Sequence, residues 1–217
     1  MRLATIGFAI ACSALSAATA RAATCESLAS LALPQATITA AETVAAGAFS
    51  QPGGRGGNPF ADLPAFCRVA ATLKPTADSD IKMEAWLPAA NWNGKFLMVG
   101  NGGWNGNVDR NALATGLRRG YAAASTDTGH EGGGGPWMAN AEKLIDFGYR
   151  AVHETTAKAK SLINAYYGNA PRLSYFQGCS AGGRQGLKAA QKFPDDYDGI
   201  VAGAPALNTT EIGRAHV

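Results

Sequence analysis

Charge is scarce in this sequence. Only 16% of its 217 residues are Asp, Glu, Lys or Arg, and the formal net charge of +3 is spread along the chain without a block of Lys or Arg. A nucleic-acid footprint or a polybasic membrane surface needs such a block. No nucleic acid and no membrane is therefore expected as partner, and a neutral or weakly charged small molecule is. Long apolar runs are also missing. The run from Leu3 to Leu15 follows a single charge at Arg2 and is closed off by Arg21, short of the roughly 20 residues that span a bilayer. Small residues at Ala18-Thr19-Ala20 and Ala20-Arg21-Ala22 offer cleavage sites, so residues 1–22 read as the signal peptide of a secreted or periplasmic protein. The stretch Ala9-Ile10-Ala11-Cys12 lacks the leucine of a lipoprotein cleavage box, and no lipid anchor is expected.

Cysteine is rare too. Cleavage near residue 22 leaves Cys25, Cys67 and Cys179 in a compartment that permits disulfides. Cys25 and Cys67 flank the N-terminal region and make the natural pair, which leaves Cys179 over. With 47% hydrophobic residues, the chain has enough apolar material for one sizeable core.

Three β-rich runs open the mature chain: Thr37 to Val44, Phe66 to Leu73 and Ile81 to Leu87. In the last, Ile81, Met83, Ala85 and Leu87 alternate with Lys82, Glu84 and Trp86, the period of a strand. They form an antiparallel entry to a sheet. The Gly- and Pro-rich stretch from Gln51 to Pro59 is a loop between the first two. From residue 95 the pattern turns to β-α-β: strand Lys95 to Val99, helix Asn111 to Leu117, strand Tyr121 to Ser125. A helix follows over Asp146 to Tyr167, with Val152, Thr155, Ala159, Leu162, Ile163 and Tyr166 on one face and Gly168 as its cap. Then come strand Leu173 to Gln177, helix Gly182 to Phe193 and strand Gly199 to Ala202. No internal repeat is visible.

Between the strand ending at Gln177 and the helix starting at Gly182 lies Gly178-Cys179-Ser180-Ala181-Gly182. A G-x-S-x-G at that position is a nucleophile elbow: the turn is so sharp that the serine is strained, and small residues two before and two after it avoid neighbouring backbone. A chain with 27 glycines also makes such a string by chance at an ordinary turn, but the flanking strand and helix favour a catalytic Ser180. Its oxyanion hole takes one N–H from Ala181 and one from a Gly-rich loop after an earlier strand. Gly100-Asn101-Gly102-Gly103-Trp104-Asn105-Gly106 stands where that loop belongs, with Gly103 ahead of Gly102 as donor; the alternative is a tight surface turn.

The string Tyr175 to Gly186, with Phe193-Pro194 and Asp198 to Pro205, resembles the tannase and feruloyl esterase family. Ala124 to His130 and Asp146 to Glu154 match its upstream motifs. The resemblance implies an α/β fold, an α/β-hydrolase catalytic domain over residues 23–210, with an inserted lid and a Ser-Asp-His triad acting on esters of aromatic carboxylic acids. It implies no cofactor for the chemistry. The family's lid often binds calcium, but no metal ligand can be named in this sequence. The family also joins a Cys beside the nucleophile to a Cys beside the catalytic His. Cys179 matches the first half of that pair, and the triad Asp, the His, the second Cys and the lid are expected downstream of the chain's end, making the chain an N-terminal part of the catalytic domain.

In the triad order Ser, Asp, His, His130 and His153 come too early and read as structural. Asp195, Asp196 and Asp198 read as turn residues facing solvent. The segment Glu211 to Val217, which includes His216, is readable as a sequencing-library adapter in frame, a non-native tail. Two other readings compete with an aromatic-acid esterase: a non-catalytic fragment of one, and a lipase or peptidase on the same fold.

Overall fold

The computed structural model describes residues 23–51 and 57–207. The signal peptide, part of the Gly-rich loop and the terminal tail expected from the sequence lie outside the described residues. Strands β1 (Ala36–Val44), β2 (Phe66–Leu73), β3 (Ile81–Pro88), β4 (Lys95–Val99), β5 (Ala122–Thr126), β6 (Leu173–Cys179) and β7 (Gly199–Gly203) form one mixed sheet in the order β1-β2-β3-β5-β4-β6-β7. The pairs β1–β2, β2–β3 and β3–β5 are antiparallel. Strands β5, β4, β6 and β7 run parallel, joined by helical crossovers as parallel neighbours require. The four crossover helices are α1 (Arg110–Arg118), α2 (Ala141–Ile145), α3 (Ala151–Tyr167) and α4 (Ala181–Lys192).

Alternation along the strands sends side chains to two cores. Phe96 and Met98 of β4 join Met83, Phe176 and the α3 residues Val152, Ala159, Leu162 and Ile163 on one face. Leu97 and Val99 join Trp86 and the α1 residues Leu113, Ala114 and Leu117 on the other. The buried stripe expected for α3 is there, Tyr166 being only partly buried. Gly168 closes the helix at φ 73°, its N–H bonded to the Asn164 carbonyl. Cys25 and Cys67 are joined by a disulfide that ties the turn Glu26–Ser30 to β2.

Two sequence expectations change. The helix expected to start at Asp146 opens instead with a π-helical turn, Asp146–Arg150. Gly148 weakens the α-helix there, and the Asp146–Arg150 ion pair at 2.5 Å spans the widened turn. Asp146 and Phe147 are both buried as a result. Among the aspartates after α4, Asp195 does face solvent, but Asp196 accepts a 2.8 Å bond from His153 Nδ1. Asp198, though exposed, takes the Ser174 N–H at 2.7 Å. These two carboxylates brace β6, β7 and α3.

Candidate active site

The site is built at the C-terminal end of β6. Gly178 and Gly182 approach backbone to backbone: a Cβ on Gly178 would stand 2.6 Å from the carbonyl carbon and oxygen of Gly182, and one on Gly182 would stand 3.0 Å from the Asn101 carbonyl oxygen. The chain therefore reverses within four residues. Ser180, at the apex, has φ 59° and ψ −117°, a region that costs a residue with a side chain roughly 1–3 kcal/mol. Three hydrogen bonds of 3.0 Å hold it there: its N–H to the Gly203 carbonyl, and its own carbonyl to the N–H groups of Arg184 and Ala206. The exposed hydroxyl stands at the start of α4.

The Gly-rich loop after β4 is pinned from below. The Asn101 N–H donates to Gln185 Oε1 at 3.0 Å, and Asn101 Nδ2 donates to the carbonyls of Thr126 at 2.7 Å and Asn107 at 3.1 Å. Gly106 N–H donates to the Gly132 carbonyl at 2.7 Å. His130 Nε2 donates to the Trp104 carbonyl at 2.9 Å, and Nδ1 lies 3.2 Å from the Thr128 hydroxyl. The His130 ring is stacked on Trp137, and that of His153 on Phe193. Both are occupied in bracing, and neither hydrogen-bonds the Ser180 hydroxyl.

Gly103, Ser180 and Ala181 line one cavity of ≈ 350 Å³, together with Trp104, Phe147, Arg184 and Ala206. Gly102 opens instead onto a neighbouring depression of ≈ 500 Å³ shared with Gln177, Cys179 and Val201. The loop thus brings Gly103, at φ 55°, to the serine and turns Gly102 away. Cys179 is exposed and unpaired among the described residues. The sequence alone assigns no role to Trp104, Phe147 or Arg184. Arg184 stands one helical turn after Ser180, a spacing that puts two side chains on the same helix face, and this was the available signal. Phe147 arrives from a distant segment through the π turn, which nothing local announces.

Behind the loop, Asp127 accepts the N–H groups of Lys82 at 2.9 Å and Gly129 at 2.8 Å. Burial nevertheless pushes its carboxyl from the ordinary 3.8 up to about 7, outweighing those bonds and the Lys82 charge. An acid whose folded pKa lies above its unfolded value contributes fully below about pH 4, and that contribution is lost as pH rises to about 7. Wild-type stability is expected to carry this fall, and Asp127→Asn to remove it, read as the urea midpoint between pH 5 and 7. A wild-type profile no steeper than the variant's would mean that Asp127 is ionised throughout.

Among the described residues no group of three or more His, Cys, Asp or Glu is placed to hold a metal ion, and no helix is long and apolar enough to cross a membrane.

The family model for tannase and feruloyl esterase matches residues 67–217. The chain belongs to that family. An uncharacterized esterase of Xanthomonas campestris pv. campestris is 44% identical over 187 residues, 85% of this chain and 32% of that protein. A probable feruloyl esterase B-1 of Aspergillus oryzae is 45% identical over 152 residues, 70% of this chain and 28% of that protein. The crystal structure of feruloyl esterase B from Aspergillus oryzae superposes with a TM-score of 0.77 at 40% identity, covering 84% of this chain and 36% of that one. Tannin acyl hydrolase from Aspergillus niger gives 0.63 at 28% identity, covering 82% and 34%. The fold is that of an α/β-hydrolase, and the chain spans about a third of the length of these family members.

Proposed function

We propose that the chain carries the nucleophile and oxyanion hole of a secreted or periplasmic carboxylic ester hydrolase acting on esters of aromatic acids. The observation that carries this is the strained Ser180 sharing one cavity with Ala181, Gly103 and two aromatic rings. The Ser180 hydroxyl attacks the ester carbonyl. The N–H groups of Ala181 and Gly103 stabilise the oxyanion of the tetrahedral intermediate, aided by the partial positive charge at the start of α4. Collapse expels the alcohol and leaves an acyl-serine, which water then hydrolyses. The proton shuttle is a histidine outside the described residues, since His130 and His153 are engaged elsewhere. The relatives named feruloyl esterase and tannin acyl hydrolase support the substrate class.

A substrate panel tests the reading. The active protein is expected to hydrolyse methyl ferulate and to leave a triglyceride and a peptide anilide untouched. Turnover of either of those two in place of the phenolic ester would move the assignment to a lipase or a peptidase.

A further inference from the structure

Arg184 has no anionic partner among the described residues. Its Nη2 is buried and has no hydrogen-bond partner among the described residues. Its Nη1 makes one long bond, 3.4 Å, to the Gly148 carbonyl. The guanidinium lies 4.8 Å from the Phe147 ring centroid. Asp146 of the neighbouring π turn and Glu142 of α2 both pair with Arg150 instead. Burial lowers the Arg184 pKa, yet a guanidinium stays charged in any protein setting. Arg184 as a whole is only partly buried, so the rest of its guanidinium, and not Nη2, is what a ligand in the cavity that contains Ser180 can reach.

Trp104 supplies the second half of a site. Its ring stacks against Phe147 at 5.4 Å and 21°, and the residue is 50% exposed. An aromatic ligand can lie against it in the offset manner that indole favours. At ≈ 350 Å³ the cavity sits at the small end of ligand pockets, about 300–1,000 Å³. One ring with a short acid tail fits that volume.

We infer that Arg184 and Trp104 make this cavity a binding site for free aromatic carboxylates, the ring against Trp104 and the carboxylate on the guanidinium. The inference rests on the cavity being the reacting site and extends it to the product. An ester is neutral at its carbonyl. Hydrolysis releases an alcohol and a carboxylate, and the carboxylate carries the charge that Arg184 lacks. The acid is therefore held more tightly than the ester it came from, so the free acid inhibits competitively.

Calorimetric titration of the 217-residue chain with benzoate and with methyl benzoate separates the contributions. Benzoate is expected to bind about tenfold more tightly or better, as a charge-assisted pair allows. Arg184→Gln should remove that preference and leave methyl benzoate binding as it was, Arg184→Lys should keep part of it, and Trp104→Ala should weaken both ligands. Near-UV dichroism and the melting temperature show whether each variant is folded; the wild-type comparison of acid and ester needs no variant. Equal binding of acid and ester by the wild type, or a preference unchanged in folded Arg184→Gln, overturns the inference while leaving the cavity an aromatic-ester site. Binding of neither ligand overturns both.

Discussion

Replacing Glu84 with alanine is expected to cost about 3–5 kcal/mol of stability, the usual penalty for removing one partner of a buried ion pair. Glu84 is 3% exposed. Its carboxylate accepts from Arg68 Nε at 3.0 Å and Nη2 at 2.7 Å, from Arg110 Nε at 3.1 Å and Nη2 at 2.6 Å, and from Trp86 Nε1 at 3.0 Å. Burial pushes its pKa up, but the bonds from Arg68, Arg110 and Trp86 outweigh it and hold the carboxyl below the ordinary range. Alanine leaves Arg68 with the exposed Glu42 alone and Arg110 with no carboxylate among the described residues. Because Arg68 is on β2, Glu84 on β3 and Arg110 on the first turn of α1, the cluster also fixes that helix on the sheet. Urea unfolding measures the loss. The triple change Arg68→Met, Glu84→Leu, Arg110→Met should recover most of it, since replacing a whole buried ion cluster with apolar groups is often neutral. A loss below about 1 kcal/mol for the single variant would show that water reaches the two guanidinium groups.

Glu84 and Trp86 also mark how far the sequence could be read. Their alternation with Met83, Ala85 and Leu87 announces a strand, and the strand is there. It does not announce that both faces are covered. Trp86 is fully buried because α1, from a later segment, returns across that face. The elbow was legible for the same reason as the strand: its glycines, serine and flanking elements lie within a dozen consecutive residues. The cavity was not legible. Its walls come from residues 103, 104, 147, 180, 181, 184 and 206, and only the folded sheet sets those segments side by side. Asp196 is the smaller example. Three aspartates near a Pro look like a solvated turn, and only the packing of α3 against that turn shows that one of them belongs to His153.

The elbow carries the other large effect. In the active protein Ser180→Ala is expected to reduce ester turnover on the order of 10⁶-fold, as loss of an activated nucleophile does, and to abolish fluorophosphonate labelling. Gly178→Ala asks a finer question, because it leaves the hydroxyl in place. The new Cβ would lie 2.6 Å from the Gly182 carbonyl carbon and oxygen and 2.8 Å from its Cα. All three are backbone atoms at the start of α4, and none can rotate away. The turn has to open, carrying Ser180 off the line shared with Ala181 and Gly103. A displacement of about 1 Å at a reacting atom costs on the order of 10²-fold. Labelling of Gly178→Ala should therefore be slowed at least that much while the serine remains modifiable, and the fall should appear in kcat more than in KM, since the walls formed by Trp104 and Phe147 are untouched. Labelling at the wild-type rate would mean that the close passage of Gly178 over Gly182 does not set the position of Ser180.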